Sequence, residues 1–170
     1  MKRSIKIIFI SAFILIATNS FAQSDDYKAV DDYVKKVGSL DTLNVGSISA
    51  IVTQPFQDKI NKARAIYDWI AYNIDFDCKN ARGNNNDKSS SDDVLKYRKA
   101  TPTGYANLFQ DMCSVVEIRC LTVDGYTKNS SDDINNPEDE TNDTWDVIQL
   151  GQTSSEWYYG GCSAWKWLYR

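Results

Sequence analysis

Residues 97–113 read Tyr97-Arg-Lys-Ala-Thr-Pro-Thr-Gly-Tyr-Ala-Asn-Leu-Phe-Gln-Asp-Met-Cys113, which is a short polar approach followed by one amphipathic helix. Thr101 suits the N-cap position, because its hydroxyl can accept a hydrogen bond from a free backbone N–H of the first turn. Pro102 suits the first helical position, where its missing N–H costs nothing and its fixed φ favours the helix. The apolar residues that follow are spaced by three and four, which predicts a core-facing stripe made of Tyr105, Leu108, Phe109 and Met112.

The flanking sequence predicts further helices and a small sheet. Helical spacing of apolar residues indicates helices over about 25–37, ending at Gly38, and over about 57–74. The stripe of the second helix comprises Ile60, Ala63, Ile66, Tyr67, Ile70 and Ile74. Ser90 or Ser91 is expected to cap a short helix that extends through Tyr97. Alternating residues predict strands over 118–127 and 144–150 and a third from 156, the last two forming an antiparallel hairpin. The predicted class is therefore α+β, with helices packed on a small antiparallel sheet.

Two polar segments are predicted to be loops. Residues 80–91 are rich in Asn, Ser and Asp and have no apolar period, which is typical of a surface loop. Residues 128–142 are acidic and rich in Asn, and they lack the Gly and terminal Glu of an EF-hand loop. We therefore predict no metal site and no cofactor.

The amino-terminal 22 residues have the pattern of a secretory signal peptide. Basic residues precede an apolar run from Ile7 to Ala17, and small residues precede a cleavage point between Ala22 and Gln23. An uncleaved membrane anchor is the alternative, although the run is short for a span of about 20 residues. Residues 23–55 are interpreted as an N-terminal helical segment and residues 56–170 as the main domain. The expected location is secreted or periplasmic.

Composition excludes several functions. The chain has 170 residues, 19 Lys and Arg, 23 Asp and Glu, and no His. Removing the leader takes away three basic residues, so 16 minus 23 gives a formal charge of −7 for the remainder. That charge argues against nucleic acid as a partner. The lack of His excludes Ser-His-Asp and Cys-His catalysis.

The segment Thr103-Gly-Tyr-Ala-Asn-Leu-Phe109 resembles the nucleophile helix of the transglutaminase-like superfamily, which shares the papain-like cysteine-protease core. Lys59 to Asp77 resembles the preceding helix of that family, and Val-x-Gly-Tyr at 123–126 resembles its first long strand. The resemblance covers about residues 57–159. It implies a Cys-His-Asp triad that performs thiol peptidase or acyl-transfer chemistry.

All three triad positions implied by the resemblance hold other residues. Pro102 stands where the family has its nucleophilic Cys, and Asp143 stands where His opens the motif His-x-Trp-Asn. Gly161 occupies the position of the third member. A carboxylate cannot replace an imidazole whose pKa lies near neutrality. Together with the predicted leader, these departures from the family pattern predict an exported, non-catalytic domain.

The surface beside the degenerate triad is predicted to bind a peptide, a protein or a cell-wall polymer. Its candidate binding residues are Thr101, Thr103, Tyr105 and Trp145. Two alternatives stay open: an active thiol enzyme of the same family, and a remnant without activity whose reading frame shifted after Tyr159. The second alternative rests on the sequence beyond Tyr159, which departs from the family pattern. If the possible codons of this stretch are read one base out of phase, they are compatible with the Val-Asp and Gly-x-Gly that the family has there.

The remaining reactive side chains are interpreted structurally. Asp143 and Asp146 are three apart on a predicted strand and hence face opposite sides, which argues against a glycosidase pair. Cys113 lies in the apolar stripe and is predicted to be buried and inert. The four cysteines, at 78, 113, 120 and 162, allow three disulfide connectivities that the sequence does not distinguish.

Overall fold

The computed structural model describes residues 27–82, 89–125, 143–151 and 156–161. Its elements, in chain order, are α1 (Lys28–Val37), α2 (Val45–Thr53), α3 (Lys59–Asn73), β1 (Asp75–Phe76), α4 (Cys78–Arg82), α5 (Ser91–Tyr97), β2 (Lys99–Ala100), α6 (Pro102–Val115), β3 (Cys120–Gly125), β4 (Asp143–Gln149) and β5 (Trp157–Gly161). The predicted α+β class, with helices on a small antiparallel sheet, is confirmed. The predicted leader and the acidic segment 128–142 lie outside the described residues.

Helix α6 packs on the sheet and on the other helices. Its buried side includes Leu108, Phe109 and Met112, as the apolar spacing predicted. The sheet has the order β3-β4-β5, and both of its strand pairs are antiparallel, which confirms the predicted hairpin of β4 and β5. One hydrophobic core extends from Val30 in α1 to Ile148 in β4.

Helix α3 passes through the centre of the structure. Trp69 is fully buried, and its indole N–H donates to the carbonyl of Gly38 over 2.9 Å. Gly38 ends α1 as predicted, with a φ of 75°, a backbone conformation that glycine adopts without a steric penalty. The predicted core stripe of this helix is wrong at Ile60, which is 43% exposed because it lies in the first turn, near the edge of the helix packing.

The structure adds elements to the prediction. Asn44 caps α2 by accepting a hydrogen bond from the Ser47 amide over 2.8 Å, in a region whose mixed sequence pattern predicted no specific element. The predicted loop 80–91 is partly wrong, since residues 80–82 belong to α4 and Ser91 begins α5. Residues 83–88 lie outside the described ranges. Ser90 is the N-cap of α5.

A two-stranded parallel sheet connects the central helices. Asp75 pairs with Lys99 and Phe76 pairs with Ala100. This pairing places β2, and the start of α6 directly after it, beside the end of α3. Such short strands have no period of two, so sequence pattern does not reveal them.

A buried ion cluster joins α1 to α3. Arg64 is only 2% exposed and bonds Asp68 over 3.1 Å and Asp31 over 3.2 Å. Burial raises the pKa of Asp68 to about 7, with a hydrogen bond to Asp31 acting in the same direction. The pKa of Asp31 is lowered, because hydrogen bonds from Asp68 and Arg64 outweigh its partial burial. The cluster is therefore one buried cation between two carboxyl groups, of which Asp68 is the more readily protonated.

Candidate functional site

The start of α6 is built as the sequence predicts. The Thr101 hydroxyl accepts a hydrogen bond from the Gly104 amide over 3.3 Å, and Pro102 occupies the first helical position. Thr101 is buried and also lies 3.3 Å from the Ser89 hydroxyl. Gly104 is buried against Val94 and Ala100, where an added Cβ would come within 3.1 Å of a Val94 methyl group. This end of α6 is therefore rigidly placed.

A chain of hydroxyl groups links α6 to the sheet. The Thr103 hydroxyl lies 3.1 Å from that of Thr144, which donates to Asp124 over 2.8 Å. Thr144 follows Asp143 in β4, and Thr103 follows Pro102 in α6. The first turn of α6 and the first residues of β4 are consequently in direct contact.

The three positions implied for the triad lie at one end of the domain. Pro102 begins α6 and Asp143 begins β4, where it stands opposite Gly125 in the register. Gly161 is the last residue of β5 and pairs with Trp145. Because β4 and β5 are antiparallel, the start of one and the end of the other lie at the same end of the sheet. None of the three residues supplies a thiol or an imidazole.

The candidate binding residues divide into two groups. Thr101, Thr103 and Tyr105 lie together at the start of α6. Trp145 alternates with Thr144 along β4, so its side chain lies on the sheet face opposite the one that Thr144 presents to α6. There it packs over Gly125, where an added Cβ would lie 2.3 Å from the indole ring. The structure therefore does not bring Trp145 to the three α6 residues.

An aromatic surface flanks the start of α6, and it joins the predicted Tyr105 to Phe76, which the sequence analysis did not single out. The rings of Phe76 and Tyr105 stack with centroids 6.5 Å apart and planes 8° from parallel. The Tyr105 hydroxyl donates to the carbonyl of Ile74 over 2.8 Å, which fixes the ring. Phe76 is 49% exposed and pairs with Ala100, two residues before Pro102. We call Phe76 and Tyr105 the aromatic ledge.

A buried carboxyl group lies deeper between α6 and the sheet. Asp146 is 1% exposed, and its Oδ1 accepts from the Cys120 thiol over 3.6 Å. Burial raises the pKa of Asp146 to about 8, and the neighbouring Cys120 and Thr122 side chains offset only part of that effect. Within the described residues its Oδ2 has no hydrogen-bond partner. The carboxyl group is therefore mostly protonated at neutral pH. Sequence reasoning treated Asp146 only as half of a glycosidase pair, because an isolated Asp in a strand gives no signal of burial.

Neither a metal site nor a membrane span is found in the part of the chain that the structure describes. Among these residues no group of three or more carboxylates and thiols is placed to hold a metal ion. Likewise, none of the described helices combines the length and the apolar character that crossing a membrane requires.

The comparisons with known proteins agree with this geometry. The family model described as "Transglutaminase-like superfamily" matches residues 46–165. The mouse protein named "Kyphoscoliosis peptidase" is 33% identical over 81 residues, which are 48% of this chain and 12% of that protein. Its human counterpart of the same name is 28% identical over 102 residues, 60% of this chain and 15% of that protein. The match thus spans less than a sixth of either relative.

A solved structure shares the fold. A protein described as a putative protease from Parabacteroides distasonis superposes with a TM-score of 0.52 at 15% identity, over 79% of this chain and 25% of that one. The family match includes every element from α3 to β5, together with the three triad positions. The chain belongs to the transglutaminase-like superfamily.

Proposed function

We propose that this chain is an exported, non-catalytic transglutaminase-like domain that binds peptide or cell-wall polymer at the start of α6. The observation that carries the proposal is Pro102 at the first position of α6. In the family that the sequence resembles, this position holds the nucleophilic Cys that opens the helix. A proline side chain there supplies no group that can attack a carbonyl carbon.

The other described cysteines do not substitute for the missing nucleophile. Cys113 lies eleven residues after Pro102, about 16 Å along the helix axis, and is fully buried. Cys120 is also buried, and the adjacent Cys113 side chain together with burial raises the pKa of its thiol. A raised pKa keeps the thiol protonated and unreactive. Cys78 is exposed, but it lies on α4 rather than at the start of α6.

The aromatic ledge supports a binding role. Aromatic faces contribute large contact areas to peptide and polymer recognition at a low cost in side-chain entropy. Phe76 presents half of its surface to solvent, and Tyr105 holds it in place from the first turn of α6. Hydroxyl groups of the adjacent helix start provide the polar contacts that orient a ligand.

Catalysis is tested by incorporation of a fluorescent amine into casein and by casein hydrolysis, before and after alkylation with iodoacetamide. The proposal expects background rates in both assays and no effect of alkylation. A rate well above background that alkylation abolishes would establish an active thiol enzyme instead. The Cys78→Ser variant controls for reaction at the exposed thiol.

Binding is tested by retention of the full chain on purified peptidoglycan and on immobilised casein peptides. The Phe76→Ala variant should bind about tenfold more weakly, as expected for an aromatic contact residue. Val115→Ala is the matched control, because Val115 is 46% exposed at the other end of α6. Equal retention of the two variants, or no retention of the parent chain, contradicts the binding role.

Export is a separate part of the proposal. It rests on the basic, apolar and small-residue pattern of the amino-terminal 22 residues. Expression of the full chain followed by amino-terminal sequencing of the extracytoplasmic fraction should give a chain that begins at Gln23. A chain retained in the cytoplasm with residues 1–22 attached would contradict it.

A further inference from the structure

The fold places two of the four cysteines side by side between α6 and β3. Cys113 is fully buried in the last turns of α6, and Cys120 is the first residue of β3, 8% exposed. The Cys113 side chain lies directly beside the Cys120 thiol. Both belong to the same hydrophobic core.

Backbone contacts fix the two cysteines relative to each other. The Ile118 amide donates to the carbonyl of Cys113 over 2.9 Å, which turns the chain back after the helix. One helical turn before Cys113, the Gln110 side-chain amide donates to the carbonyl of Cys120 over 3.2 Å. These contacts hold the end of α6 against the start of β3 through a short connection, and the Cys120 thiol, which also donates to Asp146 Oδ1 over 3.6 Å, lies beside the Cys113 side chain.

We propose that Cys113 and Cys120 form a disulfide bond that fastens the end of α6 to the first strand of the sheet. Both are thiols in the structure, as is Cys78, which is exposed and lies on α4. Of the three connectivities that the sequence allowed, the proposal selects the one that pairs Cys113 with Cys120. It is independent of the binding role proposed above.

The bond forms by thiol–disulfide exchange with a small-molecule disulfide such as oxidised glutathione. One cysteine thiolate attacks the glutathione disulfide, which forms a mixed disulfide and releases one glutathione thiolate. The second cysteine then attacks the cysteine sulfur of the mixed disulfide and releases the second glutathione. The two cysteines lose two electrons and two protons, and two molecules of reduced glutathione gain them.

Burial determines when this exchange takes place. A buried thiol that stays protonated reacts slowly, so the bond should form while the chain folds, before α6 closes over the sheet. The same burial should then protect the bond from reductants in the native state. Reduction by dithiothreitol is expected to be at least about tenfold slower in buffer than in urea.

The test uses the full chain and its Cys78→Ser, Cys162→Ser double variant, which keeps Cys113 and Cys120 and removes the other two thiols. Each protein is refolded from urea with oxidised glutathione, alkylated with N-ethylmaleimide and digested with trypsin. Arg119 lies between the two cysteines, so trypsin separates peptide 100–119 from peptide 120–128 unless a disulfide joins them.

The expected result is that most of peptide 100–119 is recovered joined to peptide 120–128 in both proteins, and that reduction releases the two. Thermal melts of the double variant should show the oxidised form melting roughly 5–10 °C above the reduced form. Alkylated Cys113 and Cys120, or Cys113 joined to a different cysteine in the full chain, would overturn the proposal. Equal rates of reduction in buffer and in urea would show that the bond is not held in the core.

Discussion

Asp146 is the single residue whose environment differs most from what its sequence position indicated. Its folded pKa is about 8, because burial disfavours the carboxylate, whereas the ordinary pKa of an aspartate is 3.8. At pH values between 3.8 and about 8, Asp146 is ionised in the unfolded chain and protonated in the folded chain. The contribution of Asp146 to stability is therefore greatest below pH 4, falls as the pH rises towards 8, and stays constant above that.

Replacing Asp146 with Asn should stabilise the domain at neutral and alkaline pH. The amide keeps the shape of the side chain and cannot ionise, so the variant avoids the cost of the buried carboxylate. We expect a gain of roughly 2 kcal/mol at pH 8 that disappears at pH 4. Urea unfolding followed by circular dichroism at several pH values measures it.

Glu117→Gln is the control for this substitution, because it makes the same acid-to-amide change at an exposed position. It should leave the pH profile of the unfolding free energy unchanged. The assignment of a buried neutral carboxyl group fails if Asp146→Asn destabilises the domain equally at pH 4 and pH 8.

At the scale of elements, the attachment of α1 to α3 depends on Arg64. The guanidinium group lies between Asp31 of α1 and Asp68 of α3, and its carbon atom also lies 5.4 Å from the centre of the Tyr27 ring. Arg64→Met would leave two facing carboxyl groups without their cation. We expect a loss of about 3–5 kcal/mol in the free energy of unfolding.

The matched control for Arg64→Met is Lys28→Met. Lys28 pairs with Asp32 one helical turn away, and both side chains are largely exposed, at 63% and 46%. Its removal should leave the free energy of unfolding almost unchanged, because an exposed ion pair contributes little. Urea titrations of the two variants compare a buried ion cluster with a surface pair, and similar losses would refute the structural role of the cluster.

The contact between strands β3 and β4 gives a second prediction at this scale. Gly125→Ala would place a Cβ 2.3 Å from the Trp145 ring, which is rigid and cannot yield as a flexible chain end would. We expect a destabilisation of about 1–3 kcal/mol. Gly46→Ala is the control, since its added Cβ would meet only Asn44 Oδ1 at 3.5 Å and a helical alanine is favourable. Thermal melts of both variants provide the measurement, and an unchanged melting temperature for Gly125→Ala would contradict the close packing.

For the molecule as a whole, the shared core predicts one cooperative unfolding transition. Val34 of α1, Trp69 of α3 and Met112 of α6 are all buried in one hydrophobic cluster. A melt of the full chain followed by far- and near-ultraviolet circular dichroism should show both signals lost together. Loss of the near-ultraviolet signal at a lower temperature would instead indicate a core without fixed packing.

Much of this fold could be predicted from the sequence. Apolar residues recur at helical spacing along α6 and α3, and apolar and polar residues alternate along β3 and β4. The position of Pro102 at a helix start followed from local chemistry alone. Other features depend on contacts between distant residues. The pairing of Asp75 with Lys99, the burial of Arg64 and the ledge formed by Phe76 and Tyr105 involve residues far apart in the chain. No local pattern encodes such contacts.

The parallel pairing of β1 with β2 has a consequence for how this chain can vary. The two strands hold residues 75–76 and 99–100 together, and 22 residues lie between them. Part of that stretch returns to the core, since Val94 of α5 is fully buried and packs on Gly104 of α6. The first turn of α6 would keep its position through changes at exposed positions of α5 such as Asp92 and Lys96, whereas a change at Val94 would move it.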